Sequence, residues 1–207
     1  MQRPYTLLAI GFALLVGLPA AQAAPVLYTA TVAGANESPP NASPGTGAAN
    51  VVIDTATHTL RVASTFSGLT SNTTASHIHC CAAPTINAGV ATTTPSFVGF
   101  PLGVTSGGMD QTYNMTLAGT WNPAFITANG GTPATAEAAL AAGLAAGRAY
   151  LNIHTAAFPG GELRGNLVLQ VVPLPPIATP ALSDSILGML GLLLAVGAWV
   201  AIRKRAA

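Results

Sequence analysis

From Val26 to Val172 the chain holds to short runs in which apolar and polar residues alternate, and Gly, Pro, Asn and Thr cut these runs every few residues. A period of two with frequent turn signals is the pattern of antiparallel strands that bury one face. Strands are expected near Val26–Val32, Ala48–Ile53, Thr59–Ser67, Ala75–Cys80, Gln111–Leu117, Ala149–Thr155 and Glu162–Val171. Asp54-Thr55-Ala56-Thr57-His58 reads as a hairpin turn, with Val51 and Ile53 alternating before it and Leu60, Val62 and Phe66 after it. His58 is then a surface turn residue. The fold class that follows is all-β, an antiparallel sandwich.

One helix interrupts this pattern. Pro133 opens an Ala-rich segment that runs to Ala146, and Gly147 follows as its stop. Its apolar stripe (Ala139, Leu140, Leu144) is thin, so it should lie over an open edge or end of the sandwich. Between Cys81 and Asp110 lies a long irregular stretch rich in Thr, Pro and Gly. Such a length inside a compact domain is usually functional or partly mobile.

Two apolar segments bracket the domain. Residues 1–23 read as a secretory signal peptide: Arg3 ahead of an apolar run from Leu7 to Leu18, then Ala21-Gln22-Ala23 as a cleavage site. Residues 186–202 form a second uncharged apolar run, just long enough to span a bilayer, and Arg203-Lys204-Arg205 follows at once. A basic cluster there keeps the tail 203–207 in the cytoplasm and the domain outside. Residues 173–185 form a proline-rich linker and a short motif between domain and helix. The organisation expected is signal, domain 24–172, linker, membrane helix, tail.

Charge bears on function. Only 6% of the chain is charged. Once the two ends are set aside, three arginines (Arg61, Arg148, Arg164) face five acids (Glu37, Asp54, Asp110, Glu137, Glu162). A domain with a net negative charge has no basic footprint for nucleic acid.

Strand parity gathers a polar face. His77 and His79 point one way and Ile78 the other; Asn152 and His154 oppose Leu151 and Ile153; Glu162 and Arg164 oppose Leu163. If the three strands are neighbours, one sheet face carries His77, His79 and His154, flanked by Asn152, Glu162 and Arg164. Two readings follow. Three neutral imidazoles suit copper or zinc, with ligand nitrogens roughly 3–4 Å apart around the ion. The same groups could instead form a hydrogen-bonded network that ties the strands together without metal.

Cys80-Cys81 directly follows His79, and the chain has no other cysteine. The options are a vicinal disulfide, an intermolecular bridge, soft-metal ligation beside the histidines, or buried thiols. Parity places Cys80 with Ile78 on the core face, which favours a thiol packed as a small hydrophobe. No G-x-S-x-G elbow, H-E-x-x-H helix, P-loop or recognisable carboxylate pair is present. The motifs therefore point away from an enzyme.

Three resemblances add expectations. Tyr28-Thr29-Ala30, Gly34-Ala35-Asn36-Glu37-Ser38-Pro39-Pro40, Phe66-Ser67-Gly68-Leu69, His77-Ile78-His79, Tyr150-Leu151-Asn152-Ile153-His154-Thr155 and Pro159-Gly160-Gly161-Glu162-Leu163-Arg164-Gly165 resemble the CHRD domain, named after chordin. That resemblance implies an extracellular β-sandwich acting as a surface or matrix interaction module. Thr179-Pro180-Ala181-Leu182-Ser183, the apolar run and the basic tail resemble the PEP-CTERM and IPTL-CTERM sorting signals, with Ala181 and Ser185 departing from the latter pattern. This implies a bacterial envelope protein handled by an exosortase-type enzyme. Gly68-Leu69-Thr70 ahead of a His-x-His strand is similar to the copper site of Cu/Zn superoxide dismutase, an immunoglobulin-like sandwich. The bridging histidine and zinc ligands of that family have no counterpart here.

Overall fold

The computed structural model describes residues 24–170 and Trp199. The expected signal peptide, linker, membrane helix (Trp199 excepted) and basic tail lie outside the described residues. Among the described residues no helix is long and apolar enough to cross a membrane.

Eight strands follow one another as β1 (Val26–Ala33), β2 (Thr46–Asp54), β3 (Thr59–Ser67), β4 (Thr73–Cys80), β5 (Gly107–Asn114), β6 (Ala149–Thr155), β7 (Leu163–Asn166) and β8 (Val168–Leu169). Helices α1 (Pro123–Ala128) and α2 (Pro133–Ala145) lie between β5 and β6. All pairings are antiparallel, and they join the strands into one sheet in the order β4-β6-β7-β1-β2-β3-β5, with β8 beside β1. The edge strands are drawn together through the segment before β5: Thr73 N–H donates to Val104 O at 2.9 Å and Gly103 N–H to Thr73 O at 2.9 Å. The domain is thus all-β and sandwich-like, as expected, with its strands joined through one curled antiparallel sheet.

The core lies inside the curl. Val51, Ile53, Leu60, Val62 and Phe66 are buried there, as their alternation requires, with Val32, Ile78, Leu151, Ile153 and Leu163 from the other strands. The hairpin turn forms where the sequence places it, because Asp54 Oδ1 accepts from the backbone N–H groups of Ala56 and Thr57 at 2.9 and 3.2 Å. His58 closes that turn at φ 55°. It is exposed, as a turn residue should be, and its Nδ1 lies 2.9 Å from the Glu137 carboxylate on α2.

Two strands depart most from expectation. β5 begins at Gly107 and ends at Asn114, earlier than the expected Gln111–Leu117. Asn114 Oδ1 accepts from Thr116 N–H (2.9 Å) and Thr116 Oγ1 (2.7 Å), and this local turn ends the strand just after Met115 N–H makes a last bond across to His58 O at 2.8 Å. Gly108 fits inside the strand because a side chain there would press on the Ser64 carbonyl. The last expected strand is split, since Leu167 turns inward, fully buried, between β7 and β8.

Helix α2 forms where Pro133 and the alanines place it, and Thr132 and Thr135 cap it reciprocally. A further helical turn, α1, precedes it, capped by Asn122, whose side chain accepts from Ala124 N–H at 3.0 Å. Trp121 and Phe125 stack in this region, and the Trp121 indole donates to Met115 O at 2.9 Å.

Candidate metal centre

The three strands that carry the polar face are neighbours: β6 lies between β4 and β7. Their register sets His77 opposite Asn152, Asn152 opposite Arg164, and His79 opposite Tyr150. His154 lies one row along β6 from Asn152, diagonal to His77. The rings converge, with centroids 5.2 Å apart for His77 and His154 and 5.8 Å for each of the other two pairs.

Each imidazole uses one nitrogen to hold a backbone carbonyl. His77 Nε2 lies 2.7 Å from Pro95 O, His79 Nδ1 2.9 Å from Ala88 O, and His154 Nδ1 3.0 Å from Pro159 O. A carbonyl only accepts, so each of those nitrogens carries the proton. The remaining nitrogens, His77 Nδ1, His79 Nε2 and His154 Nε2, are buried acceptors with no hydrogen-bond partner. Three buried lone pairs without donors are costly unless something fills the space between them.

The ligand atoms of the three histidines all lie within 4.8 Å of one another. That is wider than the 3–4 Å expected, and small ring movements would bring them to the 2.0–2.1 Å metal–nitrogen distance of copper or zinc. Burial holds all three imidazoles below their ordinary pKa, that of His79 at about 4. They are therefore neutral at pH 7, the form that binds a metal. A carbonyl on the far nitrogen is also the usual way a ligating histidine is oriented.

The flanking residues divide. Asn152 and Arg164 stand on the histidine face. Asn152 Nδ2 donates to the Glu37 carboxylate at 3.0 and 3.3 Å, and its Oδ1 is buried without a partner. Burial, the dominant influence, pushes the Glu37 carboxyl up to about 7, although Asn152 and the Arg164 charge act to lower it. Arg164 is fully buried; its guanidinium donates to Asn87 Oδ1 (2.9 Å), Pro84 O (2.7 Å) and Ile86 O (3.1 Å).

Glu162 does not join the histidines. The β7 ladder begins only at Leu163, so strand parity does not extend to it. Its carboxylate instead accepts from Ser43 Oγ (2.6 Å), Thr70 N–H (2.7 Å), Thr70 Oγ1 (3.0 Å) and Thr155 Oγ1 (2.6 Å), tying three segments together. Burial acts to raise its pKa, but these donors outweigh burial and hold the carboxyl below its ordinary value.

Cys80 and Cys81 form a vicinal disulfide, not the packed thiol that parity favoured. Cys80 remains on the core face as expected, while the exposed Cys81 lines a groove of about 400 Å³ with Val90 and Phe125. The long stretch after Cys81 also takes on a definite role. Residues 88–97 run beside β4, where Cys80 N–H donates to Gly89 O (3.1 Å) and Ala91 N–H to Ile78 O (2.9 Å), and this stretch supplies two of the three carbonyls on the histidines. Sequence reasoning missed those carbonyls, Glu37 and Tyr150. Tyr150 was within reach, since it shares strand parity with Asn152 and His154.

The fold and site define an all-β domain: a curled antiparallel sheet with a three-histidine cluster on one face. The CHRD domain family model matches residues 28–167, nearly all of the described domain, and the chain belongs to that family. No curated protein and no solved structure matches it.

Proposed function

We propose that this CHRD-domain protein is an exported, envelope-anchored, non-catalytic module that holds a copper or zinc ion between His77, His79 and His154. The observation that carries the metal reading is the set of three buried, unpartnered imidazole nitrogens facing one another, each backed by a carbonyl on the opposite nitrogen. A purely structural hydrogen-bond network would use both nitrogens of each ring, and here one of each is left over. Export rests on the signal-like residues 1–23. Anchoring rests on the apolar run 186–202 with its basic tail, and sorting by an exosortase-type enzyme on the resemblance of residues 179–205 to such signals. The CHRD domain fits an interaction role at the cell surface, with a protein or polysaccharide partner.

The deciding experiment equilibrates the purified full chain with copper(II) or zinc, removes excess ion and measures bound metal. One ion per chain in the wild type, with none in the His79→Ala variant, is the result expected. A wild-type chain that stays metal-free after equilibration with both ions overturns the metal reading and leaves the interaction module alone.

A further inference from the structure

The site contains a closed ring of contacts around His79, and it runs through residues that touch no metal-facing nitrogen. The His79 ring stacks on the Tyr150 ring, with centroids 4.8 Å apart and planes 7° from parallel. The Arg164 guanidinium carbon sits 3.5 Å from the centroid of Tyr150. The same guanidinium donates to Pro84 O, Ile86 O and Asn87 Oδ1, three successive anchor points on the segment that ends at Ala88. The Tyr150 hydroxyl accepts from Ala88 N–H at 3.1 Å. Ala88 O then accepts the His79 Nδ1 proton at 2.9 Å, which closes the ring.

From this geometry we infer that Arg164, acting through Tyr150 and the 84–88 segment, is the positioning residue that fixes His79 as its Nδ1–H tautomer and so turns its Nε2 lone pair toward the other two histidines. This inference rests on the proposed metal reading but concerns what orients a ligand, not whether an ion binds. A neutral imidazole can carry its proton on either nitrogen, and the hydrogen bond at one nitrogen selects which. Ala88 O supplies that bond only if the 84–88 segment is held down, and a segment of irregular backbone has no ladder to hold it. Arg164 takes the ladder's place, with Ser38 bonding Thr85 O and Asn87 Nδ2 beside it: the guanidinium is planar, its donors form a fixed fork, and one face remains free to lie against an aromatic ring. Stacking on Tyr150 fixes the ring plane of His79, and the three carbonyl-side bonds fix the height of Ala88. Lysine would keep the charge but could neither stack as a plane nor reach three acceptors in the same way.

The test uses the purified full chain and two readouts. Ring nitrogen chemical shifts of His79 in the metal-free protein report its tautomer. Zinc titration reports affinity. In the wild type His79 should appear as a single Nδ1–H form. In Arg164→Gln it should become a mixture of tautomers, with zinc affinity falling by about 10- to 100-fold, the range typical when an outer partner of a ligand is lost. Arg164→Lys should not restore either readout. Tyr150→Phe removes the hydroxyl's bonds to Ala88 N–H and Ala88 O, and Asn87→Ala removes the Arg164 bond and the tie to Ser38 O; both serve if Arg164→Gln does not fold, and each should move both readouts in the same direction by less. An unchanged His79 tautomer in Arg164→Gln, or full restoration by Arg164→Lys, overturns the inference. So does wild-type zinc affinity in Tyr150→Phe and Asn87→Ala together with an unchanged tautomer. If the wild-type chain binds neither zinc nor copper, the metal reading fails, and the His79 tautomer alone decides the positioning role.

Discussion

His77 and His154 meet edge to face with their ring centroids 5.2 Å apart, although they sit on different strands and are not direct partners in the register. They are diagonal neighbours across the β4–β6 pair, a distance that aromatic and other long side chains can bridge. His79, two residues along β4 from His77, completes the group on the same face. The metal reading depends on this arrangement, which brings one ligand atom from each of the three rings within 4.8 Å of the others.

Removing any one imidazole should therefore lower metal binding far more than stability. His154 is the least buried of the three, so His154→Ala should leave the fold intact and cost about 1 kcal/mol or less in urea unfolding of the metal-free chain. Bound zinc in the same variant should drop below one tenth of the wild-type level. Full zinc occupancy in His154→Ala would remove that histidine from the site.

Glu37 gives a pH signature of its own. Its folded-state carboxyl titrates at about 7, raised by burial, whereas an unfolded chain titrates near 4.5. Between these values the folded protein binds this proton and the unfolded chain does not, so the contribution of Glu37 to stability rises as pH falls from about 7 to 4.5 and gains nothing further below that, opposite in sign to the contribution of the three imidazoles. The Arg164 charge acts on this carboxyl to lower its pKa, against the larger effect of burial. Glu37→Gln should flatten this part of the profile and be the more stable form at pH 8, by roughly 1–2 kcal/mol after allowance for solvent screening. Parallel wild-type and variant melting temperatures from pH 5 to 8 would contradict this.

Gly143 on α2 faces the disulfide. A side chain there would collide with Cys80 Sγ and lie within 2.5 Å of Cys81 Sγ. Alanine is the better helix former by about 1 kcal/mol, yet overpacking a fixed disulfide costs about 1–3 kcal/mol. The clash should win, making Gly143→Ala less stable than wild type in denaturant unfolding. Reducing the disulfide should narrow the gap, since two separate thiols can move apart. A more stable Gly143→Ala chain would show that α2 shifts freely over the disulfide.

The ends of the chain make a separate expectation. N-terminal sequencing of the mature protein should begin at Ala24 or Pro25, and deletion of residues 186–207 should release the domain from the membrane fraction. An intact Met1 would contradict the leader. Membrane retention of the truncated chain would show that another segment anchors it.

What the sequence alone determined is local and periodic. The alternation of Val51, Ile53, Leu60 and Val62 announced buried strands, the Asp54–His58 turn announced a hairpin, and Pro133 with its alanines announced α2. The parity of His77, His79, Asn152 and His154 put them on one face as soon as their strands were neighbours, because a strand repeats every two residues regardless of what surrounds it. Only the tertiary structure decided what no period encodes. Strand adjacency in the order β4-β6-β7 brought the histidines together, and the 84–96 segment supplied carbonyls to two of them from outside any ladder. Parity failed at Glu162 for the same reason: one residue outside the strand, its direction is set by the hydroxyls of Ser43, Thr70 and Thr155, which come from three distant parts of the chain. His58 likewise met Glu137 only when α2 packed near the hairpin end. Hydrogen-bond partners far apart in sequence are chosen by how the sheet curls, and that choice is a property of the whole domain.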